Sequence, residues 1–80
     1  MPGPTAELVD YLARRLVEQP DAVSVEEVEE DGALVIRLHV AEDDLGRVIG
    51  RGGRVARALR TLVRAGGAHG DRRVLLEIVE

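Results

Sequence analysis

The 80-residue sequence predicts a single α+β domain, in which three helices cover one face of a three-stranded mixed sheet. Apolar residues recur at helical spacing over 6–18, and every second residue from 34 to 40 is a large aliphatic one, as in a strand with one buried face. Glycines at 50, 52 and 53 separate two further amphipathic segments. Together these patterns predict the element order α-β-β-α-α-β.

The first helix is predicted over residues 6–18. Thr5 precedes it as a candidate N-cap, and Pro20 follows its end. Residues 1–4, which include two prolines and a glycine, are predicted to be a disordered terminus of the single domain.

Two strands, over 23–29 and 33–40, are predicted to form an antiparallel hairpin around the tight turn at residues 30–32. Alternation assigns the residues of the second strand to two faces. One face carries Leu34, Ile36, Leu38 and Val40, and the other carries Val35, Arg37 and His39.

The second half of the sequence predicts two helices and a closing strand. Acidic residues 42–44 open a short helix that ends at Gly50, and a second helix runs from Gly53 or Arg54 to Ala65. Gly66 and Gly67 follow as its C-cap, before a strand over 73–79. A helical crossover between the last two strands predicts that they pair in parallel.

Charge is unevenly distributed along the chain. The formal net charge is −4, which taken alone argues against a nucleic-acid-binding protein. Residues 46–64, however, contain six arginines and no acidic residue, so this segment carries +6 and the remainder −10. Such segregation predicts one face that binds an anion, although a solvated helix face also explains Arg57, Arg60 and Arg64.

Several classes of function are excluded by composition. The chain has no cysteine, and its isolated His39 and His69 do not form a metal-binding pattern, so no metal or cofactor is expected. Ser24 is the only serine and has no histidine near it in sequence, so the protein is not predicted to be an enzyme or to bind a small-molecule substrate. Neither a signal peptide nor a membrane-spanning run is visible, which predicts a cytoplasmic protein.

The segment Gly50–Gly53 has the chemistry of a phosphate-binding loop. Two helices joined there would place a helix N-terminus, with its unsatisfied N–H groups, beside Arg47, Arg51 and Arg54. Glycine allows a phosphodiester backbone to approach closely. A second G-x-x-G match, residues 67–70, lacks flanking helices and is predicted to be an ordinary loop.

The run Val48-Ile49-Gly50-Arg51-Gly52-Gly53 resembles the signature of KH domains, and the element order resembles their type II arrangement. Over nearly the whole chain the sequence is similar to the KhpA (YlqC) family of small bacterial single-KH proteins. The stretches that carry this similarity are residues 8–11, 20–21, 45–51, 60–63 and 74–79.

This resemblance implies binding of single-stranded RNA, as an RNA chaperone or post-transcriptional regulator. The implied RNA-binding residues are Arg47, Val48, Ile49, Gly50, Arg51, Gly52, Gly53, Arg54 and Arg57. The strand over 34–40 is expected to offer main-chain hydrogen bonds to bases, and Val55 to line the groove or the adjoining core.

The resemblance also implies a homodimer, a heterodimer with a larger KhpB/Jag-like KH protein, or both. The alternative function is a KH-fold assembly module in which RNA binding is secondary. Val35, Leu75 and Val79, predicted on the outer face of the sheet, would then contact a protein partner.

Overall fold

A computed structural model describes residues 3–66 and 73–79. The elements are α1 (Pro4–Leu16), a 3-10 helix (Pro20–Ala22), β1 (Ser24–Glu30), β2 (Ala33–His39), α2 (Glu42–Gly66) and β3 (Val74–Ile78). The strands lie in the order β1-β2-β3, with β1 antiparallel and β3 parallel to β2. The predicted α+β fold with a mixed three-stranded sheet is confirmed, whereas the predicted loop at 67–70 lies outside the described residues.

Helix α1 begins earlier than the sequence predicts. Pro4 is its first residue, where the missing N–H of proline costs nothing, and Gly3 is its N-cap. The main-chain N–H of Gly3 donates to the carboxylate of Glu27 on β1. Thr5 was therefore wrongly predicted as the N-cap.

The hairpin turn has the backbone conformation that its sequence predicts. Asp31 and Gly32 both have positive φ, 50° and 79°, as a two-residue turn between right-twisted strands requires. Only residues such as aspartate and glycine enter this region readily. The turn pairs Glu30 with Ala33 and sets the register of the two strands.

One hydrophobic core lies between the sheet and the two long helices. Val9 of α1 is fully buried, as are Ile36 and Leu38 of β2, and Leu59 and Val63 of α2 are nearly so. The predicted face of the second strand that carries Ile36 and Leu38 is therefore the one that points to the core. Both helices thus cover the same face of the sheet.

Helix α2 continues through the glycines, so the prediction that Gly50 ends a helix is wrong. A positive φ occurs instead at Gly53, at +72°. Glycine within a helix costs only about 1 kcal/mol relative to alanine, so Gly50 can remain helical. We call residues 42–52 the first limb of α2 and residues 54–66 the second limb; the two limbs correspond to the two predicted helices.

Within the parts of the chain that the structure describes, neither long helix has a stretch sufficiently apolar to cross a lipid bilayer.

Candidate nucleic-acid interface

The first limb of α2 presents a face without side chains. A Cβ placed on Gly50 would meet no atom within 4 Å, and the same holds for Gly46 one turn earlier. Residues four apart share a helix face, so the main chain is open to approach along about one turn. Arg51 and Gly52 lie farther along α2, between Gly50 and the left-handed Gly53.

The two apolar residues before the glycines have different environments. Val48 is only 1% exposed and lies in the interior, so its side chain belongs to the core next to the glycines. Ile49 is 40% exposed and is available to an apolar ligand surface such as a base. Val55, on the second limb, is half-buried and packs against the core.

Arg47 is held by two carboxylates. Its guanidinium pairs with Glu18, which lies just beyond α1, and its Nε lies 3.6 Å from Asp44 Oδ1. Asp44 is itself buried and accepts the main-chain N–H groups of Glu18 and Gln19, at 3.1 and 3.0 Å. The predicted site arginine is thus tied to the end of α1, a contact that sequence analysis did not find.

A row of arginines continues from the glycines along the second limb. We call it the basic ridge; its members are Arg54, Arg57, Arg60 and Arg64, and all four are exposed. From Arg54 to Arg64 the ridge is about 15 Å long, which is the length of about four nucleotides at duplex spacing. No acidic residue occurs in the chain between positions 45 and 66.

The position of β2 corrects one prediction about the site. β2 is the central strand, and its residues 34–38 are paired with β1 on one side and β3 on the other. Its main chain is therefore already hydrogen-bonded, and the expectation that it bonds bases is wrong. Among the described strands, β3 pairs only with β2, so β3 has an open edge.

A groove runs between that open edge and the second limb of α2. Arg60, Arg64 and Arg73 line it, together with the apolar Leu75 and Leu76 of β3. Carboxylates also line the part of it that contains Arg60 and Arg73, namely those of Glu30, Asp31 and Glu77. The basic ridge therefore reaches an apolar strand edge, and Arg73 joins the site. The predicted strand pairings already placed the closing strand at the edge of the sheet, but they did not show which α2 side chains lie beside it, so this groove was not predicted.

Several carboxylates form ion pairs on the outer face of the sheet. On the outer face of the sheet, Arg37 lies between Glu30 and Glu77, at 3.3 and 3.0 Å, and His39 lies 3.0 Å from Glu26. These pairs link all three strands on the face opposite the helices. Within the described residues, no cluster of histidine and carboxylate side chains could hold a metal ion.

A helix–glycine–helix unit between two parallel strands, preceded by a helix and a strand, defines a type II KH domain. KH domains are a class of nucleic-acid-binding module in which the glycine segment holds the backbone of about four nucleotides.

Comparison with known proteins agrees with the assignment to KH domains. A family model for the KH domain of KhpA and KhpB matches residues 6–78, so the chain belongs to the KhpA/KhpB family of KH domains. The "RNA-binding protein KhpA" of Caldanaerobacter subterraneus subsp. tengcongensis is 47% identical over 73 residues, covering 91% of this chain and 97% of that protein. Proteins with the same name from Treponema pallidum and Listeria monocytogenes are 45% and 43% identical over 74 residues, which is 92% of this chain and 92% and 97% of theirs.

Proposed function

We propose that this protein binds single-stranded RNA along a surface formed by the glycine face of the first limb, the basic ridge and the groove at β3. The observation that carries the proposal is that open main chain and exposed arginines on α2 lie next to the apolar edge of β3. Phosphates need the first two features, and bases need the third.

In this proposal the RNA backbone lies against Gly50–Gly53, where the main chain can be approached. Arg51, Arg54 and Arg57 supply charge to the phosphates, joined by Arg47 before the glycines. Ile49 and the groove provide apolar contacts for bases, and the open edge of β3 provides main-chain donors and acceptors. Val48 supports this surface from inside.

The relatives' name, RNA-binding protein KhpA, supports RNA as the ligand. We extend the proposal to a cytoplasmic, non-catalytic RNA chaperone or post-transcriptional regulator. It acts with a second KH protein of the KhpB type, since one family model covers both proteins. A single small domain binds weakly, and a second linked domain raises affinity through effective concentration.

The test is a titration of a fluorescently labelled eight-nucleotide RNA with wild type and Gly50→Asp. The aspartate fits sterically, because the space beyond Gly50 is open, but it places a negative charge where phosphate is expected. We expect at least a ten-fold loss of affinity. Ser24→Asp, an exposed site at the start of β1, is the matched control and should bind as wild type does. Equal affinity of all three folded proteins would refute the assigned surface.

A second candidate function, protein assembly, is favoured by the outer side of α1. Leu8, Tyr11 and Leu16 are 43%, 56% and 47% exposed, whereas the smaller Ala6 and Ala13 face the core. Large apolar residues on the solvent side of a helix are typical of a docking surface. On the outer sheet face predicted for this role, Val35 is only 7% exposed, Val79 is half-buried and Leu75 is exposed.

Light scattering at increasing protein concentration tests this second function. Leu8→Ser with Leu16→Ser should lower the apparent mass of any dimer, and Leu75→Ser should leave it unchanged. The reverse result would assign assembly to the sheet, and a monomer at all concentrations would reject self-association.

A further inference from the structure

Within the proposed RNA surface, Arg47 already forms an ion pair with a carboxylate from another part of the chain. Its guanidinium pairs with Glu18, twenty-nine residues away in sequence, and this contact bridges the end of α1 and the first limb of α2. Arg47 lies three residues before Gly50, about one helical turn, so it adjoins the open glycine face. An anion is thus bound next to the position proposed for a phosphate.

We propose that Glu18 is an internal competitor of the RNA phosphate for Arg47, and thereby a residue that limits RNA affinity. The inference rests on the proposed function. A carboxylate and a phosphate accept the same paired N–H donors of a guanidinium, so one replaces the other on Arg47. Binding of RNA then requires the Glu18–Arg47 pair to open.

The exposure of the pair makes this exchange easy. The side chains of Arg47 and Glu18 are 51% and 70% exposed, so water solvates both once they separate. Exposed ion pairs are weak and break readily. Asp44 is different: its side chain is 2% exposed, and it accepts two main-chain N–H bonds, so it stays in place while Glu18 leaves.

Asp44 also explains why the competitor stays near its target. It binds the main-chain N–H of Glu18 itself, which anchors that residue beside the first limb whatever its side chain does. The carboxylate is therefore held at high local concentration next to Arg47, like a tethered ligand. A phosphate must compete with this tethered group rather than with a dilute anion.

Titration of the same labelled RNA with four proteins tests the inference: wild type, Glu18→Gln, Arg47→Gln and the double variant. Glu18→Gln should tighten binding two- to five-fold, roughly the strength of one exposed ion pair. Arg47→Gln should weaken binding, and adding Glu18→Gln to it should change nothing further. Glu7→Gln, at the other end of α1, removes the same charge and should leave affinity unchanged at physiological salt, because it is remote from Arg47.

Each other outcome has a definite meaning. Equal tightening by Glu18→Gln and Glu7→Gln would show an effect of net charge and overturn the inference, as would weaker binding by Glu18→Gln. Because Arg47 pairs with Glu18 through Nη2, the side-chain Nη signals of Arg47 in a nitrogen-15 spectrum should shift in RNA-free Glu18→Gln; no shift would overturn the pairing itself. If Gly50→Asp abolishes binding while Glu18→Gln has no effect, only this inference fails, whereas absence of RNA binding in every protein rejects the proposed function as well.

Discussion

At the scale of single residues, Asp44 is the polar group on which the interior depends most. Its carboxylate is buried, yet it has three partners: the N–H groups of Glu18 and Gln19 and the guanidinium of Arg47. A buried charge is tolerated only when it is paired and hydrogen-bonded in this way. The sequence predicted only that the acids at 42–44 favour a helix start, because nothing in their spacing reveals which one points inward.

We expect Asp44→Ala to lower the free energy of unfolding by about 2–4 kcal/mol, because the main-chain N–H groups of Glu18 and Gln19 would lose their charged hydrogen-bond acceptor. Asp43→Ala, which removes an exposed acid from the same helical turn, should change stability by less than about 0.5 kcal/mol. Urea unfolding followed by circular dichroism measures both. Similar values for the two variants would contradict the anchoring role of Asp44.

At the scale of elements, α2 is one helical segment whose left-handed residue is Gly53. The sequence indicated correctly that glycines separate two amphipathic limbs, but it placed the break at Gly50. The presence of glycines shows that a left-handed conformation is allowed, but it does not show which glycine adopts that conformation. The choice depends on how both limbs pack against the sheet, which no local pattern records.

Two alanine substitutions should therefore have opposite effects on stability. Gly53→Ala forces a Cβ into a left-handed residue and should destabilise the fold by about 1–2 kcal/mol. Gly50→Ala adds a better helix former in open space and should stabilise it by about 0.5–1 kcal/mol. Thermal unfolding of both variants checks the assignment, and a destabilised Gly50→Ala would place the break where the sequence first suggested.

At the scale of the whole molecule, arginines predominate on α2 and carboxylates on the outer face of the sheet, and the two sets meet where Arg60 and Glu77 line the same groove. The basic ridge lies on α2, whereas Glu26, Glu30 and Glu77 lie on the outer face of the sheet with Arg37 and His39. This separation was visible in the sequence as +6 on one segment and −10 elsewhere. The groove at β3 was not visible, since it depends on how the second limb of α2 packs beside β3 after a crossover of more than thirty residues.

RNA affinity should fall as salt rises, with the logarithm of the association constant losing about 0.7 per phosphate contact for each ten-fold increase in salt. Arg60 lies where the basic ridge meets the groove, so Arg60→Gln should reduce that slope by the amount that corresponds to about one phosphate contact. Arg15→Gln removes the same charge from α1, where Arg15 lies over the ring of Tyr11, and should leave the slope as it is. Identical slopes for the two variants would exclude a contact between Arg60 and an RNA phosphate.

The parallel pairing of β3 with β2 also bears on the order in which the chain folds. The hairpin of β1 and β2 closes through a two-residue turn, whereas Leu34 meets Val74 only after forty residues, including all of α2, have been brought into place. Long loops lose more entropy on closure, so β3 is expected to dock last and to detach first in local opening. The amide protons of β3 should therefore exchange with deuterium sooner than those of β2. Because the proposed RNA surface includes β3, that surface would be complete only at the final step of folding.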